Sequence, residues 1–431
     1  MIKKAKEQII NYFKKGETTR DKFRIGAEFE HFVIYNDTFN TVSYYGKNGV
    51  GESIAEICEI FHAKPLMDEE YILGFTADDF SVSTEPGSQF ELSMNPQKNI
   101  QNLEKKYLVF MNTVLPVFKK KNQSLICLGY HPRTKIDEIK ILPKKRYGYM
   151  YEHFKSKGKM AHNMMKGSAS IQVAIDYEDE KDFKDKYFLG SAISPIFYTL
   201  FENSPLFESE LYKKHNLRQK IWENTDDERS GLLKIAFDED MSYGKYADFI
   251  LNTTPIFLEK EGILKSAESK KLHELFTDAD GEDLIFHALS IVFPDVRLKS
   301  YLEFRMFDSV KYDLNFSAIA LVKGLFYSEK NIELLKEIFE NATYDTVMKA
   351  KEESEEMGLE TLYMGKTFLD YAKIFIEMAK SGLEEMEIKY LEPLENLINQ
   401  SLTPHDKFFK ELENDSIEEL LMKNTVEVKN V

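Results

Sequence analysis

The chain has 431 residues, 73 acidic and 57 basic, for a formal charge of −16. That balance argues against general nucleic-acid binding, which needs a basic footprint to displace counterions, yet leaves room for a nucleotide held by local cations and metal. Hydrophobic residues at 43% and charged ones at 30% describe a soluble globular chain with ample length for a large core. Residues 2–15 predict an amphipathic helix, with Ile2, Ile9, Ile10 and Phe13 on one side. This start is too charged for a signal peptide. Leu103, Tyr107, Phe110, Val114 and Val117 predict a helix over 99–121 that Pro116 kinks. A helix is expected over 183–202 and another over 283–292, ended by Pro294. The run from Phe188 to Phe201 is too short and too interrupted for a membrane span. From about residue 314 helical periods dominate, through Ile332-Leu335-Ile338-Phe339, then Phe368 to Ala379 with Gly382 as a C-cap, then Leu391-Leu394-Leu397. Glu352 to Glu356 reads as a solvated helix face. Cys58 and Cys127 can build neither a disulfide framework nor a Cys-rich zinc site. They read as packed thiols of a reducing compartment, so a cytoplasmic location is expected.

Four segments instead alternate with period two, which places residues two apart on one face of a strand. The first puts Arg24, Gly26, Glu28 and Glu30 opposite Ile25, Ala27 and Phe29. The second, 81–93, aligns Ser81, Ser83, Glu85, Gly87, Gln89, Glu91 and Ser93. The third aligns Ser168, Ser170, Gln172 and Asp176; the fourth aligns Arg297, Lys299, Tyr301, Glu303 and Arg305. An antiparallel sheet with one solvated face would explain the alternation. It explains less well why Glu pairs, Gln, Arg, Ser and Gly were chosen. Several carboxylates on one concave face repel each other unless cations lie between them, and hard divalent ions take such oxygens together with substrate phosphates. Arg297 and Arg305 would grip the anion. Two further segments read as functional loops: the basic turn Pro143 to Tyr147, and Leu217 to Gly231 with Arg218, Arg229 and Trp222. No phosphate loop, no Gly-x-Gly-x-x-Gly, no nucleophile elbow and no His-Glu-x-x-His occurs, and the nine histidines are scattered.

The same segments, in order, resemble the plant and proteobacterial type of glutamate–cysteine ligase. The resemblance rests on Gly26-Ala27-Glu28-Phe29-Glu30, on Glu85-Pro86-Gly87-Ser88-Gln89-Phe90-Glu91-Leu92-Ser93, and on Met164 to Val173. It rests too on Ile221-Trp222 through Arg229-Ser230-Gly231, and on Pro294 to Arg305. It covers roughly residues 20–310. It implies an α+β fold like that of glutamine synthetase, a curved, mostly antiparallel sheet forming a funnel covered by helices. The chain would be one catalytic unit, 1–431, with a core at 20–310 for ATP and glutamate and a helical part at 311–431 packed on it. The implied reaction phosphorylates the γ-carboxylate of glutamate from ATP. Cysteine's amine then attacks, giving γ-glutamylcysteine, ADP and phosphate, the first step of glutathione biosynthesis. Two or more Mg²⁺ would be held by Glu28, Glu30, Glu85, Glu91 and Glu303. Arg297 and Arg305 would stabilise the transferring phosphoryl. Arg146, Arg218 and Arg229 would clamp substrate carboxylates, with Gln89 and Gln172 as further substrate donors. Partners are the small molecules alone, with no nucleic acid or membrane, on a monomer or homodimer. Ser156 to His162 departs from the family pattern in a region that shapes the acceptor pocket, so a ligase for another amine stays open. A metal-dependent phosphohydrolase, or a binding protein for Ca²⁺ or nucleotide, could also use a carboxylate-lined sheet.

Overall fold

Strand β1 (Ile25–Tyr35) is the axis around which the molecule is built. The structure, a computed structural model, describes every residue except Met1, 261–262, 266, 268, 278–280 and 428–431. Phe29, Val33 and Ile34 give β1 the branched and aromatic character that a pleated, half-buried strand favours. Around it lie β2 (Lys64–Asp68), β3 (Tyr71–Thr76), β4 (Phe80–Thr84), β5 (Phe90–Gln97), β6 (Gln123–Ile126) and β7 (Ile171–Ile175), followed by β8 (Val296–Leu298) and β9 (Leu302–Phe304). The nine strands form one sheet in the order β8-β9-β7-β1-β5-β4-β3-β2, with β6 paired to the distal half of β1. Every pairing in it is antiparallel.

Two of the four expected strands are hairpins. The 81–93 segment reverses at Glu85 to Gln89, where Pro86-Gly87 favours a turn and Ser88 takes φ 70°. The Glu85 N–H donates to the Gln89 carbonyl and the Ser88 N–H to the Glu85 carbonyl. The 296–305 segment reverses at Lys299 to Tyr301, making Arg297 and Glu303 cross-strand partners. In both, polar alternation runs straight through the reversal, so pattern alone read one strand.

One sheet face is apolar. Helix α1 (Ile100–Lys119), capped by Asn99 and uninterrupted by Pro116, packs there with α4 (Tyr312–Phe326). The Phe29 ring meets Tyr107 at 4.8 Å and Phe316 at 6.1 Å. Each such buried aromatic contributes on the order of 1.5–3 kcal/mol. The helix expected over 183–202 is two, Glu180–Ala192 and Ser194–Leu200, because Pro195 can open a helix but not continue one.

The two segments expected as loops are largely helical. Lys145–Phe154 forms α2, burying Tyr147, Met150 and Phe154 at helical spacing. Leu217–Glu223 forms α3, burying Leu217, Arg218, Ile221 and Trp222. Charge density suggested a loop, but the apolar residues one turn apart decide the local structure. Together these helices build a second core with Phe257 and Ile291 on the polar side of the sheet. The expected solvated face at 352–356 lies on α5 (Tyr344–Met357), with Glu352 and Glu356 exposed, while Ser354 and Glu355 turn inward and α5 holds α3 in place. Asn216 Nδ2 donates to Ser354 Oγ at 2.8 Å, Gln219 Nε2 to the Lys351 carbonyl at 2.9 Å, and Lys220 Nζ to Glu355 at 2.8 Å. Both cysteines are free and buried. No helix among the described residues is long and apolar enough to cross a membrane.

Candidate active site

The polar face of the sheet divides into an anionic and a cationic half. On the anionic side β1 supplies Glu28 and Glu30, the latter directly across from Glu91 of β5. Like charges in that register repel. Glu85 enters from the β4–β5 turn, 3.5 Å from the Tyr147 hydroxyl. Glu30 accepts from the Ser170 N–H at 2.7 Å, Ser170 Oγ at 2.9 Å and Gln172 Nε2 at 2.9 Å. Glu91 accepts from Ser83 Oγ at 2.8 Å and Ser93 Oγ at 3.3 Å. All four carboxylates are half-buried. Burial, then the charges of Glu91 and Glu303, push Glu28 up to about 7. Burial, then Glu91 and Glu85, push Glu30 up to about 8. Burial and Glu85 push Glu91 up to about 7. Lys299 and Arg297 beside Glu28, Arg218 beside Glu30 and Lys144 beside Glu91 pull the other way, but burial and like charge outweigh them.

On the cationic side Glu303, 1% exposed, faces Arg297, Lys299 and Arg305. Arg297 reaches it at 2.6 Å, Arg305 at 2.8 Å and Lys299 at 3.1 Å. Burial alone would raise its pKa, but these three cations outweigh burial and hold it well below the usual carboxylate range. Gln172 joins the halves. Its Nε2 donates to Glu30, and its Oε1 accepts from Arg305 Nη1. The sheet therefore carries one polar chain, Glu91 beside Glu30, then Gln172, Arg305, Glu303 and Arg297.

The other residues singled out from sequence are placed as follows. Gln89 is spent on backbone: its Oε1 accepts from the Gly87 N–H at 2.8 Å and its Nε2 donates to the Ser168 carbonyl at 2.9 Å, which fixes the turn carrying Glu85. Arg218 on α3 is 2% exposed and donates to the Arg305 carbonyl at 2.8 Å. Arg229 is fully buried, and its guanidinium goes to Asp226 at 2.7 Å, the Thr254 carbonyl at 2.8 Å and the Ile291 carbonyl at 3.4 Å. The structure thus gives Arg229 partners away from the sheet face. Arg146 opens α2, over the Phe257 ring at 5.7 Å, and its Nε is buried without a partner. It lines a cavity of about 1000 Å³ with Ser83, Lys144, Tyr149 and Leu264.

Sequence reasoning passed over Lys144 and Lys299 as site residues. Lys144 is lowered first by burial and then by Arg146, with Glu85 and Glu91 acting against them. Its place in the basic turn was the available signal. Lys299 shares the alternation that marked its neighbours. The scattered histidines hid one cluster: Glu202, His215 and Asp406 bring ligand-type atoms within 4.8 Å of one another. Glu202 accepts there from His215 Nδ1 at 2.7 Å and Thr403 Oγ1 at 3.0 Å, tying the helix Pro404–Glu411 to the body.

Chemically, four crowded carboxylates with no side-chain ion pair among the described residues suit hard divalent ions, which take a few carboxylate oxygens and complete their shells with water and phosphate. Three cations on the same face suit the phosphate itself. The family model described as Glutamate-cysteine ligase family 2 (GCS2) matches residues 24–421. The chain belongs to this family. A glutamate–cysteine ligase A named chloroplastic, from Oryza sativa subsp. indica, is 26% identical over 415 residues, covering 94% of this chain and 84% of that one. The chloroplastic glutamate–cysteine ligase of Arabidopsis thaliana is 27% identical over 417 residues, covering 94% and 79%. The fold is shared with a glutamate–cysteine ligase of Francisella tularensis solved with AMP, at TM-score 0.57 and 11% identity, over 94% of this chain and 87% of that one. The α+β, glutamine-synthetase-like fold expected from sequence stands. The expected cytoplasmic location does not: the relatives just described are named chloroplastic. Cysteine usage reports a reducing environment and carries no address.

Proposed function

We propose that this chain joins the γ-carboxylate of L-glutamate to the amine of L-cysteine, using ATP, as the first step of glutathione biosynthesis. One observation carries the assignment of the site: carboxylates too crowded to ionise together lie on one sheet face with Arg297, Lys299 and Arg305. Family membership supplies the reaction.

A γ-carboxylate oxygen of glutamate attacks the terminal phosphorus of ATP, and ADP leaves. The amine of cysteine then attacks the carbonyl carbon of the acyl phosphate, phosphate leaves and the amine proton is lost. Phosphoryl transfer asks the protein chiefly for positioning and charge neutralisation. Arg305 and Arg297 face the transferring group, and Glu303 holds both in place. Glu28, Glu85 and Glu91 would hold Mg²⁺, with Glu30 as the carboxylate fixed beside them by Ser170 and Gln172; Glu303, expected from sequence among the metal ligands, is instead paired with Arg297, Lys299 and Arg305. The bound metal would neutralise the phosphate oxygens. Arg218, buried, and Arg146, half-buried, each have an unpartnered Nε–H and so capacity left for substrate carboxylates. We further propose one catalytic unit in which 20–310 carries the site and the helices of 311–431 back it.

The test is ADP release from MgATP and glutamate, with and without cysteine, followed by mass spectrometry of the product. Cysteine-dependent release with γ-glutamylcysteine formed supports the assignment. Release that needs glutamate but ignores cysteine, and rises with another amine, refutes the acceptor. No glutamate-dependent release refutes the donor.

A further inference from the structure

Trp222 is the only tryptophan of the chain, and the reaction as described leaves it without a task. It is 7% exposed, on α3, one helical turn after Arg218. Two cations lie near its indole, the Arg218 guanidinium 5.7 Å and the Arg305 guanidinium 5.8 Å from the ring centre. Stacked arginines suit an aromatic face. The edge is different. The Nε1–H of Trp222 is buried with no hydrogen-bond partner, and so is the Nε–H of Arg218. Arg218 also lacks any carboxylate within ion-pair distance among the described residues, and its one hydrogen bond goes to the Arg305 carbonyl. Buried donors are almost always satisfied, and a buried guanidinium without an anion is costlier still. The two orphaned donors belong to residues at positions i and i+4 of one helix, which are neighbours on its surface. Both stand beside Arg305, the arginine proposed above to meet the phosphoryl group. An anion that arrives with the substrate would satisfy both at once.

We propose that Trp222 is a substrate-binding residue: its indole N–H and the Arg218 Nε–H together hold the α-carboxylate of glutamate. The indole plate then spaces that carboxylate from the γ-carboxylate, which lies on the Arg305 side where phosphate is transferred. This rests on glutamate being the donor.

Because the chain has one tryptophan, its fluorescence reports the site directly. Titration of the wild-type protein with L-glutamate should give a saturable change in emission. No change at concentrations that saturate turnover overturns the proposal. Trp222→Phe keeps an aromatic plate and removes the N–H. Its KM for glutamate should rise at least tenfold, with the KM for ATP and the melting temperature near wild type. An unchanged glutamate KM, or a rise confined to cysteine, overturns it. Wild-type protein that shows no glutamate-dependent ADP release overturns the donor assignment and this proposal together; wild-type turnover with a silent tryptophan overturns this proposal alone. Should Trp222→Phe fail to fold, the wild-type titration decides.

Discussion

Replacing Glu91 by Gln should make the metal-free protein more stable while it destroys activity. Glu91 is the hub of the repulsion: after burial, its charge is the largest cause raising both Glu28 and Glu30. Its own pKa rises from an ordinary 4.5 to about 7. At about 1.4 kcal/mol per pH unit, ionising it in the folded state costs at most about 3 kcal/mol. Water reaches these half-buried carboxylates, so about 1–2 kcal/mol is the working figure. The sign follows from linkage. A carboxyl raised in the folded state takes up protons on folding between its unfolded and folded values. Stability therefore falls as pH climbs from about 4.5 through about 7–8, and stays low above. Glu91→Gln should flatten that fall and gain about 1–2 kcal/mol at pH 8 in EDTA. Because unfolding entropy grows by about 2 cal/mol/K per residue, a chain this long shifts its Tm by only about 1 °C per kcal/mol. Urea unfolding at pH 5.5 and pH 8 is the sensitive assay. Adding MgCl2 should stabilise the wild type more than the variant. A variant less stable than wild type at pH 8 in EDTA, with the same pH dependence, would refute the coupling of these carboxylates.

Arg305→Lys should lower kcat about 100-fold with little change in KM for ATP, because a point ammonium replaces a fork aimed at developing charge; steady-state ADP release checks this. Glu303→Gln leaves Arg297, Lys299 and Arg305 clustered without their anion, and should lose about 3–5 kcal/mol in urea unfolding along with activity. Gly87→Ala would push a Cβ to 2.3 Å from the Lys166 carbonyl. It should cost about 1–3 kcal/mol and lower kcat by moving the turn that carries Glu85, both read on the purified variant.

Much of the site was legible because strand alternation is a local code. Glu28 and Glu30 share a face for the same reason that Ile25 and Phe29 share the other, and no tertiary knowledge is needed for that. What alternation cannot carry is chain reversal. Glu85 to Gln89 and Lys299 to Tyr301 keep the polar rhythm while turning back, so two hairpins read as two long strands. Nor does it carry partner choice. Glu303 and Glu91 look alike in sequence, yet one meets three cations and the other meets Glu30. The turn at Lys299 to Tyr301 decides the first and the pairing of β1 with β5 the second, and that second register is long-range. The helices α2 and α3 were masked for another reason: charged residues on short amphipathic helices resemble loop charge until the buried Tyr147, Met150, Ile221 and Trp222 are counted.

The separation of sign along the sheet is maintained by a single neutral residue. Gln172 stands between Glu30 and Arg305, and its amide can serve both only in one orientation, nitrogen toward the carboxylate and oxygen toward the guanidinium. Were the central residue acidic, Arg305 would gain a permanent partner and Glu30 would lose a donor. Gln172→Glu tests this with almost no change of shape. The new carboxylate would join Glu28, Glu30 and Glu91 in mutual repulsion and would tether Arg305 away from phosphate. Catalysis should fall about 100-fold or more, since the arginine, paired with Glu303 in the wild type, would meet the transition state between two carboxylates. Gln172→Met, which removes both hydrogen bonds but adds no charge, should keep more activity than Gln172→Glu. Equal loss in the two variants would mean that Gln172 acts only by filling space, and that the division between anionic and cationic halves is not what organises the reaction.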